Sequence, residues 1–162
     1  MTLSEAGLDL IKKSEGFRGQ TYQDVAGFST IGYGHRLLPH ESFPGPISPA
    51  EALDLLAADV HRAEQAVERL VKVPLTKGQF DALVDFCFNL GAGRLASSTL
   101  LKALNNGRYN EAREQLLRWD LAGSEVSPGL KTRRQAEFQL WGAESSTQPP
   151  LPGSTTFDPG LS

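Results

Sequence analysis

Apolar residues recur every three to four positions along much of the chain, a spacing that predicts amphipathic helices. The first apolar stripe ends before Gly16, and the capping-box pattern from Thr2 to Glu5 predicts that its helix begins at Thr2. Glu15 is therefore expected at the carboxyl end of this helix. The helix dipole disfavours an anion there, which helps to keep a carboxyl group protonated.

The longest apolar stripe covers residues 53–70, between a capping box at Ser48 and a stop at Pro74. It predicts a helix of about 35 Å, long enough to bridge two lobes. Residues 79–91, which follow a third capping box at Thr76, are apolar on nearly every face and are expected at the buried centre of the second lobe. Shorter helices are predicted at about 98–106, 111–122 and 128–141.

Residues 20–37 have a different pattern, in which glycines alternate with aromatic and β-branched residues. This pattern predicts a small antiparallel sheet, with a turn at Gly27 shortly after Asp24. Along a regular strand, Thr30, Gly32 and Gly34 share one face that has little bulk. Such a face suits a floor beneath a bulky ligand, although glycines in a strand equally mark bends.

Composition and charge narrow the choice of partners. The 162 residues suit one globular domain, and the net charge of −3, with Glu144 and Asp158 in the tail, argues against nucleic acid as the partner. Cys87 is the one cysteine, so no internal disulfide is expected. No signal peptide and no long apolar run are found, which predicts no stable membrane insertion. Residues 144–162 are rich in Ser, Thr, Pro and Gly, and a flexible tail is predicted there.

Two carboxyl groups near the amino terminus are candidates for acid–base chemistry. Glycoside hydrolysis generally needs two carboxyl groups that flank the bond to be cut. Glu15 is expected at a helix end and Asp24 at a turn of the sheet. Their separation along the sequence would allow the two side chains to face each other across a cleft. The separation permits this arrangement without demonstrating it.

The surrounding motif makes the hypothesis more specific. The matching positions are Glu15, Asp24, Thr30, Ile31, Gly32, Gly34 and His35. Their spacing resembles the catalytic signature of the phage-type lysozymes, glycoside hydrolase family 24. Residues 79–91 are similar to the buried second-lobe helix of that family, and residues 129–141 resemble its arginine-rich C-terminal helix. The similarity covers residues 3 to about 142.

The resemblance implies an α+β, lysozyme-like fold. A small N-terminal lobe (about 1–60) would carry a short antiparallel sheet and the catalytic residues. A long helix would connect it to a mainly helical C-terminal lobe (about 61–143), with the cleft between them. The lobes together would form one catalytic domain, residues 1–143, followed by the tail.

The resemblance also implies the chemistry. The substrate would be the β-1,4 bond between N-acetylmuramic acid and N-acetylglucosamine in bacterial peptidoglycan. Glu15 would be the general acid, ionised Asp24 would stabilise positive charge and act as a base, and Thr30 would hold the attacking water. Inversion at the anomeric carbon is expected. The resemblance implies no metal ion and no cofactor.

Further candidates for sugar contact are His35, Phe88, Asn89, Gly91 and Arg133. Three of them have another interpretation. His35 also fits a structural hydrogen-bonding residue, and Asn89 fits a helix cap. Arg133 and Arg134 could contact Glu15 or the wall polymer, but helix-surface cations are often only solvated.

Other wall-degrading chemistries have less support. His35, His40 and His61 show no zinc-ligand spacing, which argues against an amidase. Cys87 lies in an apolar helical run, so it is expected to be a core thiol and not the nucleophile of a peptidase. A lytic transglycosylase with one catalytic Glu remains an alternative, as does a non-catalytic wall-binding or membrane-active module.

The expected biological role is that of an endolysin, which lyses the host at the end of a phage cycle. The protein would fold in the host cytoplasm as a monomer. It would reach the periplasm and cell wall after a holin permeabilises the inner membrane.

Overall fold

The computed structural model describes residues 1–142, and the tail predicted at 144–162 lies outside the described residues. The described part combines helices with a small antiparallel sheet and a separate hairpin, which confirms the predicted α+β class. The helices are α1 (Glu5–Glu15), α2 (Pro49–Leu70), α3 (Lys77–Leu90), α4 (Ala92–Ala96), α5 (Thr99–Asn105), α6 (Tyr109–Leu116) and α7 (Pro128–Gly142). The strands are β1 (Arg18–Gln23), β2 (Ser29–Gly32), β3 (His35–Arg36), β4 (Leu121–Ala122) and β5 (Glu125–Val126).

Helix α1 begins two residues later than the capping-box pattern predicted. Its N-cap is Ser4, whose hydroxyl accepts a hydrogen bond from the Gly7 amide, so the prediction of a start at Thr2 is wrong. The physical reason is a set of tertiary contacts that residues 3 and 4 make with distant side chains. The amides of Leu3 and Ser4 donate to the carboxylates of Glu64 and Asp81, which keeps residues 3 and 4 out of the helix. The other end is as predicted, with Gly16 at φ +69° as the C-cap.

The two later capping boxes form as predicted. Ser48 and Glu51 begin α2, and Thr76 and Gln79 begin α3. Both boxes satisfy backbone donors that the first turn of a helix leaves without partners. Helix α2 spans 22 residues, or about 33 Å, and ends at Leu70, a few residues short of the predicted stop.

The sheet has the order β1-β2-β3, and both pairs are antiparallel. The strand is not regular through Gly34, because Gly32 and Gly34 have φ values of +68° and +73°, so the condition for one shared face is not met. Residues with side chains rarely adopt this conformation, so the two glycines allow the chain to turn between β2 and β3. They are therefore bends, as the alternative reading proposed.

The C-terminal half departs from the prediction in two places. Helix α4 was not predicted, and α6 ends at Leu116 instead of continuing to about residue 122. A short hairpin, β4–β5, follows, with Gly123 at φ +66° in its turn and a bond from the Ser127 amide to the Asp120 carbonyl. The residues of both hairpin strands are exposed. Because the hairpin has no buried face, it does not need an alternation of apolar and polar residues from which it could be predicted.

Helix α2 joins two hydrophobic clusters. The smaller cluster, next to the sheet, contains Ile31, Ile47 and Ala52. The larger cluster surrounds α3 and includes Leu56 from α2 and Ile11 from α1. The long helix thus bridges the sheet and the helical core. The division into lobes near residue 60 stays a prediction. Within residues 1–142, no helix is both long and apolar enough to cross a membrane.

Candidate active site

Glu15 is the last residue of α1, and its carboxyl group is held between a helix and a turn. Arg133 of α7 donates from Nη1 to Oε1 of Glu15 over 2.8 Å. The other oxygen, Oε2, faces Gly34 in the turn between β2 and β3. A Cβ built on Gly34 would lie only 2.5 Å from this oxygen. The side chain of Glu15 keeps 22% of its surface exposed, so it is not closed off in the core.

Asp24 lies in the turn that joins β1 to β2. Its Oδ1 accepts hydrogen bonds from the amides of Ala26 and Phe28, each 2.9 Å long, and its Oδ2 lies 3.2 Å from Nε of Arg36. The pKa of Asp24 is below its ordinary value, chiefly because the Phe28 amide donates to the carboxylate. The Ala26 amide and the Arg36 guanidinium lower it further. Asp24 is therefore ionised at neutral pH.

Thr30 lies in β2, opposite Tyr22 of β1. It is 2% exposed, and its hydroxyl donates to the carbonyl oxygen of Phe28 over 2.9 Å. A hydroxyl group has one hydrogen and two acceptor lone pairs. Since the hydrogen is used within the turn, Thr30 can offer an acceptor to a water molecule.

Tyr22 lies close enough to both carboxylates to respond to their charges. Burial raises the pKa of the Tyr22 phenol above its ordinary value. The charges of Glu15 and, to a smaller extent, Asp24 raise it further, while Arg18 opposes them. Tyr22 is thus paired with Thr30 across the two strands, and the charges of Glu15 and Asp24 both act on its phenol.

The two arginines of α7 are buried and paired, unlike the solvated helix-surface cations of the alternative reading. Arg133 is 6% exposed and contacts Glu15, as considered from the sequence. Arg134 is fully buried and donates from Nη2 to Oδ1 of Asn89 and to Oε1 of Glu137, over 2.7 and 2.8 Å. Asn89 is therefore linked to the arginine pair.

Two buried acids next to these arginines were missed in the sequence. Asp85 of α3 accepts two hydrogen bonds from Arg133, and Glu137 of α7 pairs with Arg134. Burial raises the pKa of Glu137 well above its ordinary value, and the neighbouring Asp85 carboxylate raises it further. A signal for Asp85 was available in the sequence. It is a charged residue in a helix that is apolar on nearly every face, and a buried acid needs a partner.

His35 is buried in β3, and both of its ring nitrogens contact carboxylates. Nδ1 lies 2.8 Å from Asp59 of α2, and Nε2 lies 2.8 Å from Glu41. This arrangement supports the structural hydrogen-bonding role, and a sugar contact for His35 stays a prediction. The same holds for Phe88, which packs against the large hydrophobic cluster, and for Gly91, the exposed C-cap of α3. Within residues 1–142, no group of three or more His, Cys, Asp or Glu side chains is arranged to bind a metal ion.

Comparison with known proteins identifies the family of the chain. The family model described as phage lysozyme matches residues 12–137, which include Glu15, Asp24, Thr30 and Arg133. The chain belongs to the phage lysozyme family. The resemblance seen in the sequence is thereby confirmed.

Relatives extend the match over most of the chain. An endolysin of Bacillus phage B103 is 42% identical over 146 residues, which are 87% of this chain and 54% of that protein. An endolysin of Acyrthosiphon pisum secondary endosymbiont phage 1 is 40% identical over 87% of this chain and 98% of that protein. The chain thus spans about half of the Bacillus phage endolysin and nearly all of the second relative.

A solved structure supports the phage-lysozyme fold. The muramidase domain of SpmX from Asticaccaulis excentricus is 38% identical and superposes with a TM-score of 0.79. The superposition covers 86% of this chain and 97% of that domain. The predicted lysozyme-like fold is therefore confirmed.

Proposed function

We propose that this phage lysozyme relative hydrolyses the β-1,4 bond between N-acetylmuramic acid and N-acetylglucosamine in bacterial peptidoglycan. The observation that carries the proposal is the placement of Glu15. Its carboxyl group is fixed through one oxygen by Arg133, its side chain is partly exposed, and its charge acts on Tyr22 together with that of ionised Asp24. Two carboxyl groups in different environments are what glycoside hydrolysis requires.

Glu15 is the general acid in this proposal. Because Arg133 donates to Oε1, an acidic proton on Glu15 resides on Oε2, the oxygen that faces Gly34. The proton passes from Oε2 to the glycosidic oxygen as the bond to the anomeric carbon breaks, and the leaving sugar departs as an alcohol. A protonated Glu15 accepts from Arg133 at Oε1 without losing this proton.

Asp24 is the stabilising carboxylate and the base. Two backbone amides fix its Oδ1, so the carboxylate is held in place while positive charge develops on the sugar ring. The hydrogen bonds that lower its pKa also keep it ionised when Glu15 carries a proton. A carboxylate in this state can take a proton from water as the water attacks.

Thr30 orients the attacking water. Since its hydroxyl hydrogen is bonded to the Phe28 carbonyl, the oxygen of Thr30 accepts a hydrogen from the water. The oxygen of that water then has a lone pair free for the anomeric carbon. Attack on the face opposite the leaving group inverts the configuration at the anomeric carbon. An inverting mechanism requires the two carboxyl groups to be roughly 6.5–9.5 Å apart, so that a water molecule fits between them.

The biological setting is proposed from the two relatives described above, both of which are named endolysin. The chain acts as an endolysin monomer that lyses a bacterial host. It folds in the host cytoplasm and reaches the periplasm and cell wall once a holin has permeabilised the inner membrane.

The proposal is tested by the release of reducing sugar from purified peptidoglycan. Glu15→Gln preserves the size of the side chain and removes the acid, so kcat is expected to fall by ~10²–10⁴-fold. Glu5→Gln, an exposed change at the other end of α1, is the matched control and should retain the rate of the wild type. Equal rates for Glu15→Gln and Glu5→Gln would contradict the assignment.

A further inference from the structure

Asp85 lies on the central helix α3, and its side chain is fully buried. Its two carboxylate oxygens accept hydrogen bonds from Nε and Nη2 of Arg133, over 3.0 and 2.9 Å. We propose that Asp85 is a positioning residue, which fixes the Arg133 guanidinium so that its third nitrogen orients Glu15. The inference rests on the proposed role of Glu15 as the general acid.

The geometry of the guanidinium supports this role. A carboxylate bound to two nitrogens of an arginine fixes the plane of the group as well as its distance. Once that plane is fixed by Asp85, Nη1 of Arg133 points in one direction, toward Oε1 of Glu15. A single hydrogen bond from a freely rotating side chain would not hold the Glu15 carboxyl group in one orientation. Asp85 thus acts on Glu15 through Arg133, across three helices.

The distribution of charge supports the same role. One positive charge on Arg133 serves two carboxylates, Asp85 and Glu15. Burial by itself would lower the pKa of Arg133, but Asp85 and, to a smaller extent, Glu15 raise it above its ordinary value. Asp85 therefore does more than Glu15 to keep the guanidinium charged and in place. The other charged or titratable groups near this chain of contacts are Arg134 and Glu137 on α7, Arg18 and Tyr22 on β1, and Asp24 in the turn after β1.

Asp81 provides a matched comparison on the same helix. It lies one turn before Asp85, is 2% exposed, and accepts a bond from the Ser4 amide over 2.9 Å and another from the Ser4 hydroxyl. It therefore ties α3 to the beginning of α1, whereas Asp85 reaches the end of α1 through Arg133. The two aspartates have similar burial and similar structural duties, but only Asp85 connects to Glu15.

The experiment compares Asp85→Asn with Asp81→Asn in the full chain. Thermal melts identify a temperature at which both are folded, and kcat and KM are measured there on purified peptidoglycan. Asp85→Asn is expected to lower kcat by about tenfold or more, with KM changed by less than about twofold. Asp81→Asn should lose thermal stability but keep the kcat and KM of the wild type.

Asp85→Glu separates geometry from charge and serves as the second variant if Asp85→Asn does not fold. It keeps the negative charge and displaces the guanidinium by one methylene, so kcat should fall. A wild-type kcat for Asp85→Glu, or a kcat for Asp85→Asn that matches that of Asp81→Asn, would overturn this inference and leave the proposed function standing. No release of reducing sugar by the wild type would overturn both.

Discussion

At the scale of single residues, Gly34 shows how closely the backbone approaches the acid. It has φ +73°, and a Cβ at this position would meet the carboxyl group of Glu15. The carboxyl group is the end of a flexible side chain, so it can move away at little cost to the fold. Movement of about 1 Å at a reacting group can, however, cost about a hundredfold in rate. Glycine at position 34 is therefore a requirement of the proposed chemistry as well as of the turn.

The change Gly34→Ala tests whether a side chain at this position lowers activity by more than its effect on stability explains. We expect a loss of roughly 1–2 kcal/mol in the free energy of unfolding, from the left-handed backbone, and a fall in kcat of about a hundredfold. Gly123→Ala is the control, because Gly123 has φ +66° and no atom within 4 Å of a built Cβ. It should show a similar loss of stability with normal kcat. Equal activities of the two variants would contradict the account of Gly34.

At the scale of secondary-structure elements, His35 connects three parts of the N-terminal region. Its ring joins β3 to Asp59 of α2 and to Glu41, which lies between β3 and α2. Burial by itself would lower the pKa of His35, but hydrogen bonds to Glu41 and Asp59 raise it above its ordinary value. The charged imidazole therefore stabilises the position of the sheet against the long helix.

This connection gives stability a predictable dependence on pH. A group whose pKa is raised by folding stabilises the protein fully below its unfolded pKa, about 6.5 for histidine. That stabilisation is lost as the pH rises through the raised pKa of folded His35. Urea unfolding across this range should show the loss in the wild type and in His61→Gln, since His61 is exposed. Retention of the same pH dependence in His35→Gln would contradict the prediction.

The pattern of local and distant contacts explains how much the sequence could predict. The capping boxes at Ser48 and Thr76 use partners three residues away, so their sequence pattern was sufficient. Arg133 binds Asp85 and Glu15 across 48 and 118 residues, and hydrophobic periodicity carries no information about such pairs. The same limit explains the start of α1, where distant carboxylates compete with the local cap.

At the scale of the whole molecule, α3 is the centre of the larger hydrophobic cluster. It packs against α1, α2 and α7. The helix that carries Glu15 and the helix that carries the two arginines therefore both pack against α3. Cys87 lies on this helix, as the core thiol predicted from the sequence, and burial raises its pKa to about 11. Exposure of this thiol requires the surrounding helices to separate.

Cys87 therefore reports unfolding of the core. At about pH 8, a disulfide exchange reagent should react very slowly with the native protein, because both burial and the raised pKa suppress the thiolate. In denaturant the thiol should react completely, and the melting temperature should not depend on added reductant. Rapid reaction of the native protein would contradict the packing described for α3.

The central claim is that Glu15, Asp24 and Thr30 together direct water onto a glycosidic bond. Mass spectrometry of the muropeptides released from purified peptidoglycan tests this claim most directly. The account predicts N-acetylmuramic acid with a free reducing end in the products of the wild type and its loss with Glu15→Gln. Anhydro-muramic ends would instead indicate a lytic transglycosylase and contradict the roles of Asp24 and Thr30, and no glycan cleavage would indicate a wall-binding or membrane-active module.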